Sequence, residues 1–359
     1  MKLEDKLVEY LQEGLAVEAD GYKFKLNDGK ECFKIVLEKI FGKEVVSCKH
    51  YDDVVHGQGK EEDKIDTIYS SSLQSLLIFS SVIKKPIYID GIKYDEVHFE
   101  YKNKVFGYPS CIDVVLVHNS DEEIEGDKGK ILFIESKFAE IIRDSSKNGS
   151  CVIGPSYFSK DGYPMFYSKD IKSLNNIGIE TITKSLYNQY NSEDTKKAVL
   201  NARKENKTIS NGDAYFKVSP IKDNTYVYSY GVKQVLAHLL GIHNFKNTEE
   251  NDKTERIDKY LAKCRNYEIK FLVLYNEFPK YNYKKDDAAK KISDFVKHLI
   301  VVKDNWELED QERIDFKTVC MSYQEIYDDS KNREYFEQID KVADFYHLKE
   351  KNDKVNKNK

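Results

Sequence analysis

Apolar residues in this chain gather in short, β-branched runs separated by polar breaks. Two runs have the length and density of buried strands: Cys111-Ile112-Asp113-Val114-Val115-Leu116-Val117 and Ile131-Leu132-Phe133-Ile134-Glu135-Ser136-Lys137-Phe138. The polar, glycine-containing stretch 118–130 between them reads as a hairpin loop. A strand is expected at 94–101, another at Lys270 to Tyr275, and an edge strand at 316–321. Helical patterns fall at about 2–13, 31–41, 66–83, 179–204, 228–241, 285–302 and 322–328. The organisation expected is an N-terminal helical elaboration (1–63), a main domain (64–330) with an insertion at about 144–225, and a C-terminal helix with a disordered tail (331–359).

The two central runs carry three charges. A core strand seldom keeps a charge without a partner, because desolvating it alone is costly. Matching the runs end to end as an antiparallel pair sets Val117 against Ile131 and Asp113 against Glu135. Side chains alternate along a strand, so Glu135 and Lys137 share a face and Ser136 takes the other. Like charges opposite each other on a ladder are destabilising. A divalent cation between them, with the lysine beside it, reverses that penalty. The alternative is a structural Asp–Lys or Glu–Lys ion pair.

Two carboxylates suit a hard cation such as Mg²⁺, with Mn²⁺ able to substitute. Asp113 and Glu135 would supply the carboxylates and the Ser136 backbone carbonyl a third oxygen. Lys137 would orient or help deprotonate a water and offset charge on a phosphate. The expected products are a 5′-phosphate and a 3′-hydroxyl. Ser110-Cys111-Ile112-Asp113 followed by Ile134-Glu135-Ser136-Lys137 resembles the PD-(D/E)xK nuclease superfamily, the restriction-endonuclease-like group. Pro109 lies four residues before Asp113, so the proline-aspartate pair is not literally met.

That resemblance implies an α/β (α+β) fold, a central mixed sheet flanked by helices in α-β-β-β-α-β order. It also implies catalytic roles for Asp113, Glu135 and Lys137. Relatives often carry a glutamate on the helix before the first core strand. Here no acidic residue lies between Tyr69 and Val82, which leaves Gln74 or Glu100 as substitutes. Glu100, alternating with Glu96 and His98, reads more readily as the solvent face of a strand. On the helix after the active strands many relatives carry a glutamine, and Gln234 fits that position, on one helical face with His238. The implied activity is Mg²⁺-dependent cleavage of DNA, in restriction or anti-phage defence. A homodimer or other defence proteins are possible partners, since cutting both strands usually needs two sites. The alternative is a catalytically degenerate nucleic-acid-binding or scaffold module of the same fold.

Composition adjusts this picture. The formal net charge of −5 does not advertise a nucleic-acid binder, although a local field can still attract phosphate. Candidate cleft lysines are Lys147, Lys160, Lys169, Lys172, Lys184 and Lys233. The six cysteines are scattered with no C-x-x-C pair, which argues against structural zinc and a disulfide framework and fits a reducing cytoplasm. No Walker loop or dinucleotide fingerprint is present. The charged amphipathic start lacks a signal-peptide core, and no apolar stretch is long enough to span a bilayer, so no membrane partner is expected.

Overall fold

The computed structural model describes residues 71–104, 109–120, 128–137, 260–276 and 317–346, with short pieces at 19–20, 23–24, 38, 42–43, 151–153, 216–218, 237–239, 241–242 and 244–245. In chain order the strands are β1 (Ala19–Asp20), β2 (Lys23–Phe24), β3 (Ile87–Ile89), β4 (Ile92–Tyr94), β5 (Glu96–Asn103), β6 (Ser110–His118), β7 (Lys130–Lys137), β8 (Cys151–Ile153), β9 (Phe216–Val218), β10 (Glu268–Tyr275) and β11 (Lys317–Ser322). The helices are α1 (Ser71–Phe79), α2 (Tyr323–Asp328), α3 (Arg333–Gln338) and α4 (Asp340–Phe345). Residues 237–239, 241–242 and 244–245 are also helical.

The core is one five-stranded sheet in the order β11-β10-β7-β6-β5. β5, β6 and β7 run antiparallel to one another, whereas β7, β10 and β11 run parallel. The sheet is therefore mixed, as expected, and β7 lies at its centre. Its residues Ile131 to Ile134 have no exposed surface, nor do Val114 to Val117 on β6. Burial on both faces explains why these strands read as continuous apolar runs rather than alternating ones.

Helices cover the two faces. On one, Phe79 of α1 meets Tyr323 of α2 with ring centroids 6.2 Å apart, and the buried Tyr335 hydroxyl of α3 donates to the Ile78 carbonyl. On the other, Phe245 packs edge-on against Phe133 and Tyr101, at 5.5 and 6.3 Å. α2 starts at the boundary expected from the sequence, and the reason is a capping box. Ser322 accepts from the Glu325 amide, and the Glu325 carboxylate accepts from the Ser322 amide.

Some elements differ from the sequence reading. The strand expected at 94–101 is β5, two residues later at each end, and it is preceded by an unanticipated hairpin, β3–β4. Its turn, Asp90-Gly91, has positive φ at both residues, 56° and 75°, as a two-residue hairpin turn requires. The helix expected at 66–83 is described from Ser71 and tightens into a 3₁₀ turn over Ser80–Ile83. Of the helix expected at 228–241, residues 237–239 and 241 are described and helical, and so are 242, 244 and 245 beyond it. Within 1–63 the described pieces include the antiparallel pair β1–β2, and within 144–225 they include the pair β8–β9. The helices expected at 2–13, 179–204 and 285–302, the tail beyond 346 and the six candidate cleft lysines lie outside the described residues. No helix among the described residues is long and apolar enough to cross a membrane.

The central strand is pinned from the α1–α2 side. The Tyr323 hydroxyl lies 2.9 Å from Ser136 Oγ and 3.4 Å from Ser75 Oγ, and all three residues are buried. Tyr323→Phe leaves the Ser136 hydroxyl short of a partner in a buried site. The expected cost is about 1–2 kcal/mol, read as a lower midpoint in urea denaturation. An unchanged midpoint would show that this hydroxyl cluster does not help hold β7.

Candidate active site

The site forms where the β-ladder breaks. The β6–β7 register runs from His118↔Lys130 through Val117↔Ile131 to Val114↔Ile134. This is the register expected from the apolar pattern, but the pairing stops one step short of Asp113 and Glu135. Instead the Asp113 carboxylate accepts a hydrogen bond from the Ser136 amide at 2.7 Å. On the other side of β6, Phe99↔Val114 and Tyr101↔Ile112 flank an unpaired step at which Glu100 stands opposite Asp113. Glu100 has φ 48°, a left-handed conformation uncommon outside glycine.

This break changes which way the side chains face. Val114 pairs with Ile134, on the opposite side of the sheet from Phe133 and Glu135. Strict alternation would send Ser110 to the Ile134 side. Yet Ser110 bonds His238, which touches Glu135. Likewise Tyr101 packs on Phe133, at 6.3 Å, although Phe99 pairs with Val114. The two strands thus swap faces at Glu100 and Asp113, bringing Ser110 and Tyr101 onto the Glu135 side.

Glu135 has no exposed surface, and Lys137 is 9% exposed. The two share a face as expected, with Lys137 Nζ 2.6 Å from Glu135 Oε1. Glu135 Oε2 lies 2.8 Å from His238 Nε2. That contact is within ion-pair distance but off hydrogen-bond alignment, and neither atom has another hydrogen-bond partner. Burial pushes the Glu135 carboxyl up, but the Lys137 ammonium and His238 outweigh it and bring the group down to about 2.

Asp113 keeps some exposure and moves the other way. Poor solvation first, then the negative charges of Glu135 and Glu100, push its carboxyl well above the ordinary range, against the weaker pull of Lys137 and the Ser136 amide. Desolvation and charge repulsion act in the same direction here. The two carboxylates are thus driven apart in acidity by the groups packed around each.

Glu100 departs from the sequence reading. Glu96 and His98 are half-buried and pair with each other at 2.6 Å, as an outer face of β5 would. Glu100 is instead 7% exposed, and Ser72 Oγ of α1 lies 3.5 Å from its carboxylate. The backbone at φ 48° turns it out of the alternation. Gln74 is fully buried with neither amide atom hydrogen-bonded, and it is Ser72 that makes the polar contact from α1 to the acidic group. Gln234 lies outside the described residues. His238, which the sequence offered only as a neighbour of Gln234 on one helical face, makes direct contact with Glu135.

Asp113 and Glu135 are the carboxylate donors on offer to a cation here. Among the described residues no group of three or more His, Cys, Asp or Glu side chains is arranged as a complete metal-binding cluster. No protein-family model, curated protein or solved structure matches the chain.

The raised Asp113 carboxyl gives a test of the metal-free protein. A folded value above the unfolded one, about 3.9, means that protonation stabilises the fold. That contribution is complete below the unfolded value and is lost as pH rises through the folded value. Asp113→Asn keeps an oxygen acceptor for the Ser136 amide and cannot ionise. Its melting temperature in EDTA is expected to exceed that of the wild type at pH 8, with the gap closing on acidification. A variant less stable than wild type at pH 8 would mean that the Asp113 charge is favourably paired.

Proposed function

We propose that the chain is a metal-dependent nuclease, cleaving DNA phosphodiester bonds with Mg²⁺ on a restriction-endonuclease-like core. The observation that carries the reading is the crowding of Asp113 against Glu135 and Glu100, with Lys137 at the edge of the cluster. Negative charge packed this closely on a buried sheet is costly unless a cation answers it. The donor set fits a hard divalent ion. Such ions are commonly held by one or two carboxylates, with water and substrate phosphate completing the shell. The order α1, β5, β6, β7, the helical residues 237–239, 241–242 and 244–245, and β10 also follows the α-β-β-β-α-β expectation.

In this reading Asp113 and Glu135 hold the ion, joined by the Ser136 backbone carbonyl. The bound ion supplies polarisation of the phosphate and a more acidic water. Lys137, anchored on Glu135, is placed to orient that water and to offset charge on the phosphate. Glu100 adds to the negative field, and Asp113 is the more exposed of the two donors. Hydrolysis leaves a 5′-phosphate and a 3′-hydroxyl. Restriction or defence against foreign DNA, within a homodimer or with other defence proteins, is the setting proposed for it.

One observation favours a second reading, a catalytically degenerate nucleic-acid-binding or scaffold module. Both Glu135 oxygens already face cation-forming groups, Lys137 and His238. That module would bind nucleic acid without turnover.

The test is cleavage of plasmid, modified and unmodified phage DNA, single-stranded DNA and structured RNA, in Mg²⁺, Mn²⁺ and EDTA. Metal-dependent cutting is expected, reduced by about 10²-fold or more in Asp113→Ala, Glu135→Ala and Lys137→Ala. Wild-type cutting by Asp113→Ala would end the assignment. Binding without cutting in either metal would select the degenerate module.

A further inference from the structure

The contact left over by this reading lies on the far side of Glu135. His238 joins two strands: Nε2 is 2.8 Å from Glu135 Oε2, and Nδ1 is 2.5 Å from Ser110 Oγ. The exposures are 3% for His238, 5% for Ser110 and 0% for Glu135. Buried polar atoms normally have partners. Nε2 and Oε2 have no hydrogen-bond partner beyond their own close approach.

The ring is firmly seated. At Gly241, three residues on, a Cβ would come within 2.9 Å of Asn103 Cβ and 3.2 Å of Ser110 Cβ, so the helix backbone lies directly on the strands. A further three residues on, Asn244 Nδ2 donates to the Lys104 carbonyl at 2.9 Å. Phe245 closes the contact on Tyr101 and Phe133. Three successive anchors on one helical face leave the imidazole little room to withdraw.

The serine has a chemical part. A neutral imidazole donates from one nitrogen and accepts on the other. When the Ser110 hydroxyl donates to Nδ1, the ring proton sits on Nε2, the nitrogen 2.8 Å from the carboxylate. The opposite tautomer sets a lone pair against Oε2, which repels. The Glu135 carboxylate, which can only accept, therefore favours the Nε2–H form, and Ser110 accommodates it by donating to Nδ1.

We propose that His238 is a positioning residue for Glu135. Ser110 fixes the ring, the ring holds Oε2, and Lys137 holds Oε1, so the carboxylate keeps one orientation beside Asp113. The proposal rests on the metal-dependent reading and names the group that prepares its buried ligand. Partners that orient a ligand in this way typically govern affinity by about 10- to 100-fold.

The experiment measures Mn²⁺ binding to the full-length, DNA-free protein by electron paramagnetic resonance of the free ion. It compares wild type with Glu135→Ala, His238→Ala, His238→Gln and Ser110→Ala, each checked for folding by thermal melt. Glu135→Ala is expected to abolish binding and His238→Ala to weaken it by about 10- to 100-fold. His238→Gln, which keeps an N–H donor, should recover part of the loss, and Ser110→Ala should lose less than His238→Ala. Nitrogen-15 NMR of the wild-type ring should place the proton on Nε2, and Glu135→Ala should weaken that preference. Wild-type affinity in His238→Ala overturns the positioning role while leaving Glu135 in a metal site. If His238→Ala does not fold, wild-type affinity in both His238→Gln and Ser110→Ala overturns it equally. Absence of Mn²⁺ binding in wild type, or its retention in Glu135→Ala, instead overturns the metal reading on which the proposal stands.

Discussion

One hydrogen bond organises this molecule, from the Ser136 amide to the Asp113 carboxylate. A ladder that continued past Val114 would have set Asp113 and Glu135 face to face as an ordinary cross-strand pair of like charges. The side chain instead takes a backbone donor of the neighbouring strand, and the pairing ends there. On the other side β5 answers with a left-handed residue at Glu100. The two irregularities face each other across β6, and together they reverse the faces of Tyr101 and Ser110. A regular sheet could not present Ser110 and Glu135 to the same imidazole.

The electrostatics follow from that geometry. Glu135 sits deeper but has the Lys137 ammonium at one oxygen and the His238 ring at the other. Asp113 sits nearer to solvent but has carboxylates on both sides. Depth alone would have ranked them in the opposite order, so the local partners decide. Pairs of carboxylates held at different acidities are a common way for one site to divide its chemical tasks. The back of the sheet makes no such division. There Ser136, Tyr323 and Ser75 form a neutral hydroxyl cluster whose role is to hold the central strand still.

The sequence made the strands legible because burial on both faces demands unbroken apolar runs. It also made the β6–β7 register legible, because the ends of two matched runs leave few ways to align them. Lys137 and Glu135 followed from period-two alternation. Glu100 did not, since alternation is the rule that its positive φ breaks, and nothing in Phe99-Glu100-Tyr101 announces that break. The Asp90-Gly91 turn was a readable signal, the dipeptide favoured in tight hairpins, lying just ahead of the strand expected at 94–101 in residues given no element. His238 could be placed beside Gln234 on a helix face. What that face would meet depends on the close seat at Gly241, a tertiary fact.

The crossover between β7 and β10 has a consequence for how the molecule comes into being. Ser110 and His238 are 128 residues apart, whereas the β6–β7 hairpin closes locally. A chain emerging in order forms the hairpin first, with Glu135 held only by Lys137 and with β7 still an edge. Longer loops cost only about 0.6 kcal/mol more per doubling of length, so the delay reflects the order of synthesis more than a thermodynamic barrier. During that interval Ile131 to Ile134 form an apolar edge open to pairing with another chain. Glu135 and Lys137, at the end of that edge, are the charges that discourage it. The residues placed to do chemistry in the finished protein would thus first serve as guards against aggregation in the unfinished one.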